Sequence, residues 1–162
     1  MPFGGCLRSS VMEALRLILE RGSLSGAGDE LDGRGFFLRA AESGEPLRWQ
    51  DPLLSEVGAQ VIRVAGTSYR SAALGDPGFE PGNPLALVRE PDNPHDANAI
   101  AVWNDERTAQ AGYVPANVAA VLAGFEDLCA LSLWEWRDST GDRIGLRALV
   151  YPEGTVRVPR LR

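Results

Sequence analysis

Hydrophobic residues in this chain follow two rhythms, one before and one after about residue 58. In the first part, Ser10-Val11-Met12-Glu13 has the form of a capping box, and Gly22 stands where a helix C-cap belongs. Val11, Ala14, Leu15 and Ile18 share one helical face. This spacing predicts a short amphipathic helix over Val11–Arg21, the body of an N-terminal helical extension at residues 1–24. Its apolar face suits either packing on the same protein or binding a partner protein. Gly22–Gly35 is rich in Gly, Ser and Asp and reads as a linker. Residues 25–58 are therefore expected to be a linker or irregular extension, with a short strand over Phe36–Arg39 and irregular chain over Gln50–Glu56.

After Ala59 the rhythm shortens. Gln60–Ala65 alternates with period two, and Leu85–Arg89 and Ala99–Trp103 are apolar runs of strand length. Ala109–Val114, Leu131–Trp136, Arg143–Tyr151 and Thr155–Val158 continue the series. Turn residues separate them at Asn104-Asp105, Ser139-Thr140-Gly141-Asp142 and Pro152-Glu153-Gly154. The pattern predicts a mainly β fold with small helices, an antiparallel β-barrel of about six strands over residues 59–158. One helix interrupts it. Pro115 suits a first helical position, and Val118, Val121, Leu122 and Phe125 form an i, i+3, i+4, i+7 stripe. A helix over Pro115–Gly124, its stripe plugging one end of the barrel, is the expectation.

Charge narrows the function. The 162 residues carry a net charge of −6, from 16 basic and 22 acidic side chains. Lysine is absent, so every basic side chain is arginine. A dedicated duplex-DNA binder needs a basic excess to displace counterions from phosphates, and this chain lacks one. A local pocket holding one strand end remains compatible with that balance. No apolar run approaches the roughly 20 residues of a membrane span, and no signal-peptide pattern opens the chain, so a cytoplasmic protein without a membrane partner is expected. Met12 is a second candidate start besides Met1. Cys6 and Cys129 are too few and too far apart for a disulfide framework or a CxxC metal pair.

Signals of catalytic chemistry are few. No GxSxG elbow occurs, and a phosphate-binding loop cannot form without its lysine. His95 is the single histidine. Asp92 and Asp96 beside it leave a metal-dependent hydrolase acting on nucleic acid as a third reading, provided another carboxylate converges with them. Otherwise the chain reads as a non-catalytic binding module that needs no cofactor. The densest segment is Arg89-Glu90-Pro91-Asp92-Asn93-Pro94-His95-Asp96-Ala97-Asn98. Two prolines stiffen it, and Asp and Asn side chains can bond nearby backbone. It is either a rigid connector between strands or a ready hydrogen-bonding site.

That segment carries a family resemblance. Val64-Ala65-Gly66 with Tyr69-Arg70, then Leu85 to Pro91, then Asn93-Pro94-His95-Asp96-Ala97-Asn98-Ala99-Ile100, then Gly112-Tyr113-Val114-Pro115, resemble in order the HIRAN domain. This module occurs at the N-terminus of Swi/Snf-type DNA translocases and as stand-alone bacterial proteins. The resemblance covers about residues 60–123. It implies an OB-like barrel and recognition of single-stranded DNA at its 3′-hydroxyl end, as an accessory in DNA repair or processing. By position it implies that Tyr69 and His95 stack on bases, that Asp96 meets the terminal hydroxyl, that Asn93 bonds backbone or base, and that Arg70 meets a phosphate. Tyr113 completes the aromatic platform. Ser68 and Ala116 stand where the characterised eukaryotic module has basic residues, so the cationic clamp is thinned. A protein- or peptide-interaction module on the same barrel is the alternative.

Overall fold

The computed structural model describes residues 17–21 and 35–157. The main body is a six-stranded antiparallel sheet, built from β4 (Gln60–Arg63), β5 (Pro84–Arg89), β6 (Ile100–Asn104), β7 (Gln110–Tyr113), β8 (Leu128–Arg137) and β9 (Arg143–Pro152). Its spatial order is β4-β9-β8-β5-β6-β7. The sheet curls until its two edge segments meet at one bridge, Ala65 to Tyr113. There each backbone N–H donates to the other's carbonyl, at 2.8 and 2.9 Å. Gly112 makes this approach possible, because a Cβ there would lie 2.1 Å from the Ala65 carbonyl oxygen.

Alternation decides which side chains face inward. Ile62 and Val64 of the β4 segment, Ile100 and Val102 of β6, and Leu146, Ala148 and Val150 of β9 fill the inner core. α2 (Ser71–Leu74) and α3 (Ala116–Leu122) close on it through Leu74, Ala119 and Leu122. The sequence-derived strands match this sheet closely, with one exception. Residues 156–157 form β10, which leaves the main sheet and pairs in parallel with β1 (Leu17–Arg21).

The N-terminal region differs from expectation. Leu17–Arg21 is a strand, antiparallel to β2 (Phe36–Ala40), and the helix expected over Val11–Arg21 is not present there. The rest of that helix, residues 11–16, lies outside the described residues. Leu17 and Leu19 alternate into a second core, and strand pairing with β2 and β10 outweighs the local helical pattern. The short strand expected at Phe36–Arg39 is β2. The supposed extension also holds β3 (Pro46–Leu47) and α1 (Pro52–Glu56). Asp51 caps α1 by accepting from the Leu53 N–H at 2.9 Å, and Pro52 begins it.

The small sheet β10-β1-β2-β3 covers part of the outer face of the main sheet. Leu17, Phe36 and Leu38 meet Cys129, Leu131, Leu133 and Leu149. β8 is consequently buried on both faces, which explains why Leu128–Leu133 is apolar at every position but Ser132, whose buried hydroxyl donates to the Phe79 carbonyl at 2.8 Å. Burial pushes the Tyr151 phenol, also in this core, up to about 12. Cys129 is disulfide-bonded, and its partner lies outside the described residues.

The α3 stripe needs correction. Leu122 is buried and Val118 packs against the core, as the stripe requires, but Val121, on the outer side of the helix, and Phe125, past its end, are 58% and 40% exposed. Ala119, outside the stripe, takes a further core position. No helix among the described residues is long and apolar enough to cross a membrane.

Candidate nucleic-acid interface

The loop between β5 and β6 is built by its own short polar side chains. Asn93 Oδ1 accepts from the backbone N–H of His95 at 2.9 Å and of Asp96 at 3.2 Å. Asp96 Oδ1 in turn accepts from the Asn98 N–H at 2.8 Å. These successive Asx turns, with Pro91 and Pro94, fix an irregular loop without a helix or ladder. The Glu90 N–H donates to Ala99 at 2.9 Å and pinches the loop's base.

Glu90 ties the loop to the sheet edge. Asn93 Nδ2 donates to Glu90 Oε1 at 3.0 Å, and the Tyr113 hydroxyl donates to the same oxygen at 3.1 Å. Above Tyr113, the Arg70 guanidinium sits 5.8 Å from the ring centroid. A continuous set of contacts therefore runs from Arg70 through Tyr113 and Glu90 to Asn93, and on to the backbone of His95 and Asp96. Glu90 was given no role from sequence, although it lies inside the motif. Its signal there was only a charge in a polar run.

Tyr69 precedes Arg70 at the end of a single 3₁₀ turn, Thr67–Tyr69, which Gly66 opens in a left-handed conformation at φ 79°. Its ring is 91% exposed, the largest exposure of any bulky apolar side chain described. Ile144, 52% exposed, lies beside this turn, because the Thr67 hydroxyl donates to the Ile144 carbonyl at 3.4 Å. It too was missed from sequence, where it looked like an ordinary strand residue.

The segment after Tyr69 is held from below. Arg143 donates to the carbonyls of Leu74 and Asp76 at 2.7 and 3.0 Å and to Glu135 Oε2 at 2.6 Å. Glu80 bridges Arg143 and Arg137 at 2.7 and 3.1 Å. The hydrogen bond to Glu135 holds the Arg137 guanidinium above its usual range. Arg143 and Glu135 are buried and paired, so this network anchors the segment to β8 and β9.

The site residues named from sequence divide by surroundings. Asn93 spends three of its hydrogen-bonding positions on the protein itself, which makes it an organiser of the loop. Asp96 uses one carboxylate oxygen locally, and its other oxygen has no hydrogen bond from the described residues. His95 is exposed. Arg89 caps the last turn of α3 by donating to the Leu122 carbonyl at 3.2 Å and to that of Phe125. The metal reading required Asp92, Asp96 and another carboxylate to converge. Among the described residues no group of three such ligands comes together.

Asn93→Ala tests the organiser role. Two backbone donors lose their acceptor and Glu90 keeps only the Tyr113 hydroxyl, at a cost of about 1–2 kcal/mol. Amide exchange at His95 and Asp96 accelerates while that of the β8–β9 ladder does not. Unchanged protection at both amides would show that the prolines alone hold the loop.

Residues 57–130 match a family model described as the HIRAN domain. This part of the chain is a HIRAN domain. Every sequence-derived site residue falls inside it, and the HIRAN match runs from just before β4 into β8. The chain is similar to the crystal structure of the HIRAN domain of human HLTF, at 22% identity and a TM-score of 0.43, over 60% of this chain and 78% of that one. It is similar also to a protein from Lactobacillus plantarum, at 22% identity and a TM-score of 0.41, over 56% and 89% of the respective chains. No curated protein matches the sequence.

Proposed function

We propose that this HIRAN domain is a non-catalytic module that binds single-stranded DNA at its 3′-hydroxyl end, as an accessory in DNA repair or processing. The observation that carries the reading is Tyr69: a large ring almost wholly in solvent, set beside an arginine that rests on a second aromatic ring. Exposing an aromatic face costs hydrophobic free energy unless a ligand covers it, and every base offers a π-face to stack on it. Arg70 has no carboxylate partner among the described residues and supplies a planar cation for one phosphate. The unengaged oxygen of Asp96 accepts the proton of a terminal hydroxyl and repels a terminal phosphate. His95, exposed on the same loop, offers a further stacking plane.

This arrangement reads a strand end with little bulk electrostatics, in keeping with the net charge of −6. Fluorescence anisotropy checks it. A single strand binds and the blunt duplex of the same sequence does not. The log–log salt slope for the single strand is shallow, about −0.7 to −1.4, corresponding to one or two neutralised phosphates. Duplex binding with a steep slope would point to a basic surface and against end recognition.

A further inference from the structure

A second arginine–aromatic array lies on the outer face of the main sheet, beside the second core against which Trp49 packs. The Arg63 guanidinium lies 4.6 Å from the centroid of Trp136. Arg147 lies 5.1 Å from the same ring and 5.7 Å from Trp49. The four side chains come from β4, β8, β9 and the segment after β3. Gly145 makes room for them: a Cβ there would sit 2.9 Å from Cε3 of Trp136 and 3.7 Å from the Arg63 guanidinium, so the indole packs directly on the bare glycine of β9. Arg63 is exposed and has no hydrogen bond or ion pair among the described residues. An arginine laid on an indole is already oriented, and the edge of its fork stays open for two parallel bonds to a phosphate.

Its position relates it to the end site. Arg63 and Ala65 project from the same side of their segment, while Ile62 and Val64 turn into the core. Ala65 pairs with Tyr113, the ring under Arg70. Two strand residues span roughly 6–7 Å. Arg63 and Arg70 thus flank the Ala65–Tyr113 bridge, with the exposed Tyr69 in the turn between them. Both are seated on aromatic rings and have no carboxylate partner among the described residues, in a chain with more acidic than basic side chains.

We propose that Arg63, supported by Trp136, is a phosphate contact for the body of the bound strand. The DNA leaves the end site across β4 and β9 toward this array. The assignment rests on the end-binding reading above and adds the direction of the strand and a second anchoring point.

Arg63→Gln tests it against two DNA ligands with the same 3′-hydroxyl terminus. One is a decanucleotide, measured by anisotropy. The other is a dinucleotide, whose single phosphate falls to Arg70, measured by chemical-shift titration. Arg63 is exposed, so the variant folds as the wild type does. Its affinity for the decanucleotide falls about 3- to 10-fold, as for loss of one exposed charge-assisted contact. The salt slope becomes shallower by about 0.7. Dinucleotide binding does not change. A variant that holds the decanucleotide as tightly as the wild type overturns the proposal while leaving end recognition intact. Equal losses on both ligands overturn it too, by placing Arg63 in the end site. Should the wild type bind neither ligand, end recognition fails and the extension falls with it.

Discussion

Gly112→Ala should destabilise the protein by about 2–4 kcal/mol, combining an overpacking cost with the loss of two backbone hydrogen bonds. The added methyl would sit 2.1 Å from the Ala65 carbonyl oxygen, and backbone cannot give way as a flexible side-chain tip can. The Ala65–Tyr113 bridge must then open. That bridge joins the two edges of the six-stranded sheet and places Tyr113 beneath Arg70. Urea unfolding gives the comparison, with Gly124→Ala as control, since a Cβ at Gly124 meets nothing within 4 Å. The control stays within about 0.5 kcal/mol of wild type. If Gly112→Ala unfolds at the same urea concentration as the control, the bridge contributes nothing to the fold.

Tyr69→Ala should show the opposite profile, with stability unchanged and DNA binding largely lost. The ring is 91% exposed, so folding gains little from it. Loss of one base–aromatic stack removes about 1–3 kcal/mol of binding, roughly 5- to 150-fold in affinity. Tyr69→Trp keeps a stacking face and keeps binding. Tyr113→Phe keeps its ring but loses the bond to Glu90, so it weakens the loop's tether more than the stack. Were Tyr69→Ala to bind single strands as the wild type does, the exposed ring would have no part in recognition.

What could be read from sequence followed from how local the causes were. The loop Arg89–Asn98 was legible because Pro91, Pro94, Asn93 and Asp96 act on backbone within three residues of themselves. The β8–β9 hairpin was legible from Ser139-Thr140-Gly141-Asp142, where Asp138 accepts from Thr140 and Asp142. β1 was not, because Leu17–Arg21 is a strand only through β2 and β10, the latter far along the chain. The α3 stripe was legible at Val118 and Leu122, but it misled at Val121, which the helix turns outward, and at Phe125, which lies past the helix end. α1 did carry a local signal, Asp51-Pro52, which went unread. The Arg63–Trp136 stack joins residues far apart in sequence and depends on a glycine on a third strand, so no spacing announces it. Ala65, Gly112 and Tyr113 likewise lay within recognisable motifs, but their meeting belongs to the curl of the sheet.

The central claim is that this site reads the chemical end of a single strand. Matched oligonucleotides ending in 3′-hydroxyl or 3′-phosphate, titrated by anisotropy at one salt concentration, test it most directly. The hydroxyl strand should bind several-fold tighter, and the preference should shrink in Asp96→Ala, which removes the carboxylate that accepts the hydroxyl and repels the phosphate. Equal affinity of the wild type for both strands would contradict it.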